Sequence, residues 1–258
     1  MVGGPLILWY GAVVALVAAG LLLSPTLEFP RSWLLLGLAI VTSGAGAHLL
    51  ARAHPEYRFY LHKPPTVFYW TAPVALTTGG ALFTLQLLGG LFAVVGMAVT
   101  SVGVALVLYC QYALAEPGRP PPAYARLITN LSIYLAAFLL FVSIHNSGLG
   151  LPLATVALGS LSGLLSLELF REGRDRPWRE AGYALVLAIL ISELSWVLQY
   201  FPLGKIITSL SLLLGFYLLT GLIHNYLIGR LSPWVALEFI FVTGVGLGVL
   251  FGFQTLGG

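Results

Sequence analysis

The sequence predicts an all-α, polytopic integral membrane protein whose nine transmembrane helices form three triplets of inverted topology. Three observations lead there: the composition, the distribution of basic residues between loops, and a long internal repeat. Hydrophobic residues fill 59% of the 258 positions and charged residues 8%, with a mean hydropathy of +0.95, whereas soluble domains carry about 25% charge. Nine apolar segments of about 20 residues, the length that crosses the hydrocarbon core, leave about 80 residues for all loops and both ends. No soluble domain fits in that remainder, so residues 1–258 read as a single membrane domain.

Apolar runs between turn and charge clusters define the elements in order. Helix one, 5–24, has no basic region before it and an apolar stretch too long for a signal peptide. Helix two, 32–51, runs between Arg31 and Arg52. The apolar run from Thr66 to Leu114 is too long for one crossing and is divided at LQLLGG, where Gly89 and Gly90 permit a tight turn; this gives helices at 66–86 and 89–112. Helix five, 124–145, ends at HNSGLGLP, and helix six, 151–170, ends at the charged stretch FREGRDRPWRE. Helices at 181–200, 204–226 and 234–256 complete the set.

Charge tests this order independently. With the amino terminus inside, ten of the twelve Lys and Arg fall in inner loops, and only Arg31 and Lys205 lie outside. Removing one helix would invert every later loop and destroy that asymmetry. The expected topology therefore has a cytoplasmic amino terminus and an extracytoplasmic carboxyl terminus.

The repeat sets the architecture. RLITNLSIYLAAFLLFVSIHN from Arg126 and KIITSLSLLLGFYLLTGLIHN from Lys205 share ten of 21 aligned positions, a fixed-period similarity of the kind duplication leaves. Gln111-Tyr112 and Gln199-Tyr200 stand at matching ends of the preceding helices, and a fainter copy runs from FPRSWLLLG at Phe29 to His48. The interval from Arg126 to Lys205 holds three helices. Repeat units of about 5–86, 87–171 and 181–256 follow, and because three is odd, each unit is inverted relative to the one before.

Glu193 is the acidic residue that the helix assignments bury deepest in a crossing. In LISELSWVLQY it is flanked by Ser192, Ser195 and Gln199 on one stripe, with Trp196 at i+3. An intramembrane carboxylate is costly and is by default a candidate site. Glu193, Ser192, Ser195, Trp196 and Gln199, facing Asn130 and Thr129, form the expected substrate- or proton-binding group; a structural bond between helices is the alternative. Glu238 lies within reach of water near a helix end.

Small residues let membrane helices approach closely. Gly159 and Gly163 of helix six, and Gly244, Gly248 and Gly252 of helix nine, are the expected packing faces. His145 and His224 close equivalent helices, each followed by Asn, and a histidine there bonds the last carbonyls. His48 and His224, at the same expected inner depth, are the weaker alternative of a haem pair. Ser162 in GSLSG has no base in reach for nucleophilic chemistry, and Thr129 and Ser132 recur as Thr208 and Ser211, positioned to bond back to carbonyls. Cys110 is single, which excludes an internal disulfide, and no zinc, phosphate-loop or acidic diphosphate spacing occurs. No cofactor is expected.

Inverted repeats are characteristic of secondary transporters, so a small-solute or proton-coupled transporter leads. A non-catalytic membrane subunit or assembly factor is the second reading, and a membrane enzyme or electron carrier using lipid, quinone or haem the third; an enzyme is the less favoured class. The expected partners are the lipid bilayer, a small solute or proton, and other membrane proteins, and not nucleic acid.

Overall fold

The computed structural model describes residues 4–28, 30–53, 69–114, 122–170 and 177–257. Among these residues there are nine α-helices, one 3-10 turn between α1 and α2, and no strand. The helices are α1 (Gly4–Leu23), α2 (Arg31–Ala53), α3 (Thr71–Leu87), α4 (Leu91–Leu114), α5 (Ala123–Asn146), α6 (Leu151–Phe170), α7 (Pro177–Leu198), α8 (Lys205–Leu227) and α9 (Pro233–Gly257). Apolar sequences of this length adopt helices because each segment then satisfies its own backbone groups without water. Eight of the nine are long and apolar enough to cross a membrane, which makes this a multi-pass membrane protein.

The exception by length is α3, with 17 residues. It starts later than the expected 66–86 because Tyr69 and Trp70 form a tighter 3-10 turn, and residues 66–68 lie outside the described region. The division of the long apolar run occurs where the glycines stand: Leu88 is extended, and Gly90 adopts φ +55°, a left-handed conformation that glycine reaches at little cost. α9 begins with Pro233 in its first turn, and Ser232 Oγ accepts the Val235 N–H at 3.3 Å, a polar cap followed by proline as helix starts favour.

The chain divides into two compact units, Met1–Leu140 and Phe141–Gly258. In the first, α3 and α4 interlock reciprocally. Gly80 of α3 receives the side chain of Thr100, and Gly96 of α4 receives that of Thr84. α1 is tied to α4 where Tyr10 donates its hydroxyl to the Ala105 carbonyl at 2.8 Å. Leu21, Met97, Leu108 and Ile133, all in this unit, are fully buried.

In the second unit α6 and α7 form the closest pair. A Cβ at Gly159 would collide with Ser192 Oγ and approach the Ala188 carbonyl at 2.6 Å, while one at Gly163 would meet Ala188 and Ala184. Leu194 of α7 fits beside Gly215 of α8, and Leu214 of α8 beside Gly246 of α9. Lipid gains as much from contacting a leucine as a neighbouring helix does, so these close approaches, with their added dispersion contacts, hold the unit together.

Candidate functional site

α7 has two faces. Ala184, Leu187, Ile191, Ser195 and Leu198 recur at helical spacing and are buried, which directs them into the second unit. Leu185, Ile189, Leu190, Trp196 and Val197 are exposed, and Glu193 stands among them, exposed as well. The carboxyl group is therefore on the outward side of the helix. It lies five residues before the end of α7, about 8 Å along the axis at 1.5 Å per residue. Side chains lean toward the helix amino terminus, so this one leans back into the span and away from the nearer end.

The residues around Glu193 divide between the two faces. Ser192 Oγ donates to the Thr155 carbonyl of α6 at 3.3 Å, joining the helix pair whose contact Gly159 permits. Ser195 is fully buried, and its Oγ has no hydrogen-bond partner among the described residues. Trp196 donates its ring N–H to the Tyr200 hydroxyl at 3.1 Å, and Gln199 is exposed. Thr129 and Asn130 belong to the first unit, Thr129 buried and Asn130 exposed.

Most hydroxyls inside the spans bond within their own helix. Thr100 donates to the Gly96 carbonyl at 2.9 Å, Thr155 to Leu151 at 2.8 Å, and Thr208 to Gly204 at 3.2 Å, the back-bonding that slightly bends a helix. Ser162, considered above as a nucleophile, donates to the Leu158 carbonyl at 2.7 Å. These groups meet their polar requirement locally.

The repeated IHN sequence has a structural role in the second unit. A carbonyl only accepts, so His145 Nδ1, 2.8 Å from the Phe141 carbonyl, carries the proton. The same N–H lies 3.1 Å from Ser209 Oγ of α8, whose hydroxyl donates to the Lys205 carbonyl at 2.8 Å. Asn146 Oδ1 accepts from Lys205 Nζ at 3.1 Å, and Phe141 meets Phe216 edge-on at 6.3 Å. The end of one repeated helix is thus fastened to the start and middle of the other.

His48 belongs to the first unit, where it meets Trp70 edge-on at 5.6 Å, and His224 to the second. Among the described residues no three His, Cys, Asp or Glu side chains come together as metal ligands. Glu168, in the last turn of α6, is buried, and the sequence analysis does not single it out. Leu165 and Phe170, beside it in LSLELF, are buried as well.

The family whose model matches residues 10–252 is described as "Protein of unknown function (DUF5656)". No curated protein and no solved structure matches the chain.

Proposed function

The chain belongs to the DUF5656 family, and we propose that it serves as a non-catalytic membrane subunit that assembles with another membrane protein through the outward faces of α7 and α9. The observation that carries this reading is the exposure of Glu193 on the outer side of α7. A charged side chain costs about 3 kcal/mol at the centre of a crossing on insertion scales and less toward its ends, so Glu193 bears part of that cost. A donor on a partner helix removes that cost, and lipid does not.

α9 supports the same reading. It is the least covered of the eight long spans, and open space lies beside Gly244, Gly248 and Gly252. This stripe has the spacing that lets membrane helices approach closely, and among the described residues no helix lies against it. In this reading the face on α9 supplies close packing and the one on α7 supplies polar selectivity.

A transporter built around Glu193 needs that carboxyl on a water-connected path between helices, so its outward exposure favours the subunit reading. The proposed architecture keeps nine crossings in three alternately oriented triplets, with the amino terminus in the cytoplasm. The ten-to-two division of basic residues and the period of the repeat support it.

The test is photocrosslinking in native membranes from benzoylphenylalanine placed at Leu190 or Val197, both exposed beside Glu193, with Leu153 on α6 as reference. A discrete protein adduct is expected at 190 and 197, absent at 153 and abolished by Glu193→Lys. Adducts to lipid alone, or a proton or solute flux in reconstituted vesicles that Glu193→Gln removes, would overturn the proposal.

A further inference from the structure

An elongated cavity of about 510 Å³ lies in the first unit between α3, α4 and α5, within the range of roughly 300–1,000 Å³ that holds small ligands. Among the described residues no charged one lines it, and its wall is apolar except for Thr84, Thr100 and Ser132. The Thr100 hydroxyl already bonds to Gly96. The rims are open: Val95 and Val99 of α4 are 51% and 66% exposed, and Leu131 of α5 is 66% exposed. In a membrane-spanning bundle such an opening faces hydrocarbon. A void there would forfeit dispersion contacts along its whole lining, and an apolar wall does not hold water.

Dimensions select the occupant. On α4 the lining runs from Phe92 to Leu106, about 21 Å at 1.5 Å per residue. Spread over that length, the whole empty space of about 1220 Å³ gives a mean cross-section of at most about 58 Å², against about 80 Å² for a helix 10 Å across. The groove is too narrow for a partner helix and wide enough for an extended acyl chain. Its length also exceeds the roughly 15 Å that one leaflet contributes to a 30 Å core, so the chain it fits is straightened along α4.

The two ends differ. Toward the α3–α4 turn the lining reaches Leu88, which caps α3, and Phe92, the second residue of α4. At the other end it stops at Leu106, eight residues short of the end of α4 and so about 12 Å inside the helix. Among the described residues, it is the turn end of the lining that reaches a helix terminus. Gly89 and Gly90 there carry no side chain to obstruct it and no charge to grip a headgroup.

We infer that this groove is a binding site for one acyl chain of a membrane phospholipid, with the headgroup at the Gly89–Gly90 turn and the tail extended along α4 beyond the bilayer midplane. Recognition is then of the chain and its length, and not of the headgroup. The site is independent of whichever protein covers α7 and α9.

The test is native mass spectrometry of the purified full-length protein after delipidation and addition of phosphatidylcholine or phosphatidylglycerol with ten- or eighteen-carbon chains. One retained eighteen-carbon lipid per chain is expected, equally for both headgroups and at high salt, with retention of the ten-carbon lipid weaker by ~10-fold or more. Val99→Trp, which places a ring across the open rim and not in the core, should abolish retention; Leu153→Trp, on an exposed position of α6, should not. Should Val99→Trp misfold by circular dichroism, Leu131→Trp closes the same rim from α5. A retained lipid in folded rim variants, no retained lipid in the native protein, or retention that follows headgroup charge would overturn the assignment.

Discussion

Gly159 of α6 lies directly against Ser192 of α7, whose hydroxyl reaches past it to the Thr155 carbonyl at 3.3 Å. The absent side chain at one position and the hydrogen bond from the other belong to one contact, because the bond forms only if the helices approach this closely.

Gly159→Val should therefore destabilise the isolated chain by about 1–3 kcal/mol, the usual cost of overpacking a well-filled interface. Gly248→Ala should leave stability unchanged or raise it by up to about 1 kcal/mol, since alanine favours helix over glycine and open space lies beside Gly248. Thermal unfolding in detergent followed by circular dichroism compares them. Equal losses in both variants would refute the distinction between the two faces.

The two glycine stripes look alike in the sequence, and that shows how far it can be read. Helix number and the Gly89–Gly90 turn are legible because length and backbone satisfaction in lipid leave few choices. The direction of each face is not. A helix side that meets lipid and a side that meets another helix are equally apolar, so Gly159 and Gly244 carry the same signal, and neither the outward exposure of Glu193 nor the burial of Glu168 follows from periodicity.

On α7, Glu193 and Ser195 are two residues apart and should respond oppositely. Glu193→Leu places an apolar group on the exposed side and should alter the stability of the isolated chain by no more than about 0.5 kcal/mol, as surface changes do. Ser195 is fully buried, and Ser195→Leu should cost about 1–3 kcal/mol by overpacking. A large loss from Glu193→Leu in the purified chain would show that the carboxyl bonds within the protein and would remove the argument for a partner.

The link between α5 and α8 makes a prediction specific to one atom. His145 uses Nδ1 for the Phe141 carbonyl and Ser209, whereas Nε2 is buried with no hydrogen-bond partner among the described residues. Asparagine reproduces a donor at the Nδ1 position and lacks the second nitrogen; glutamine places its amide further out. His145→Asn should keep most of the stability, and His145→Gln and His145→Ala should each lose about 1 kcal/mol or more, the worth of a typical hydrogen bond. A double-mutant cycle with Ser209→Ala should give a coupling of about 0.5–1.5 kcal/mol. Zero coupling, or Gln outperforming Asn, would refute the role assigned to Nδ1.

Topology can be tested one loop at a time. Cys110 is buried, so it is a silent background, and Cys110→Ser removes it altogether. With nine crossings and a cytoplasmic amino terminus, the α5–α6 and α7–α8 turns lie outside and the α8–α9 turn inside. Ser147 and Phe201, both exposed in outer turns, and Leu231, exposed in an inner one, are suitable single-cysteine positions. Ser147→Cys and Phe201→Cys should react with a membrane-impermeant maleimide on intact cells, and Leu231→Cys only after permeabilisation. The pair at 147 and 201 decides the count between them: two helices, α6 and α7, separate the turns, so labelling from opposite sides would mean that one of the two does not cross. Labelling of both from inside would preserve the count and invert the orientation, against the ten-to-two division of basic residues from which the orientation was derived.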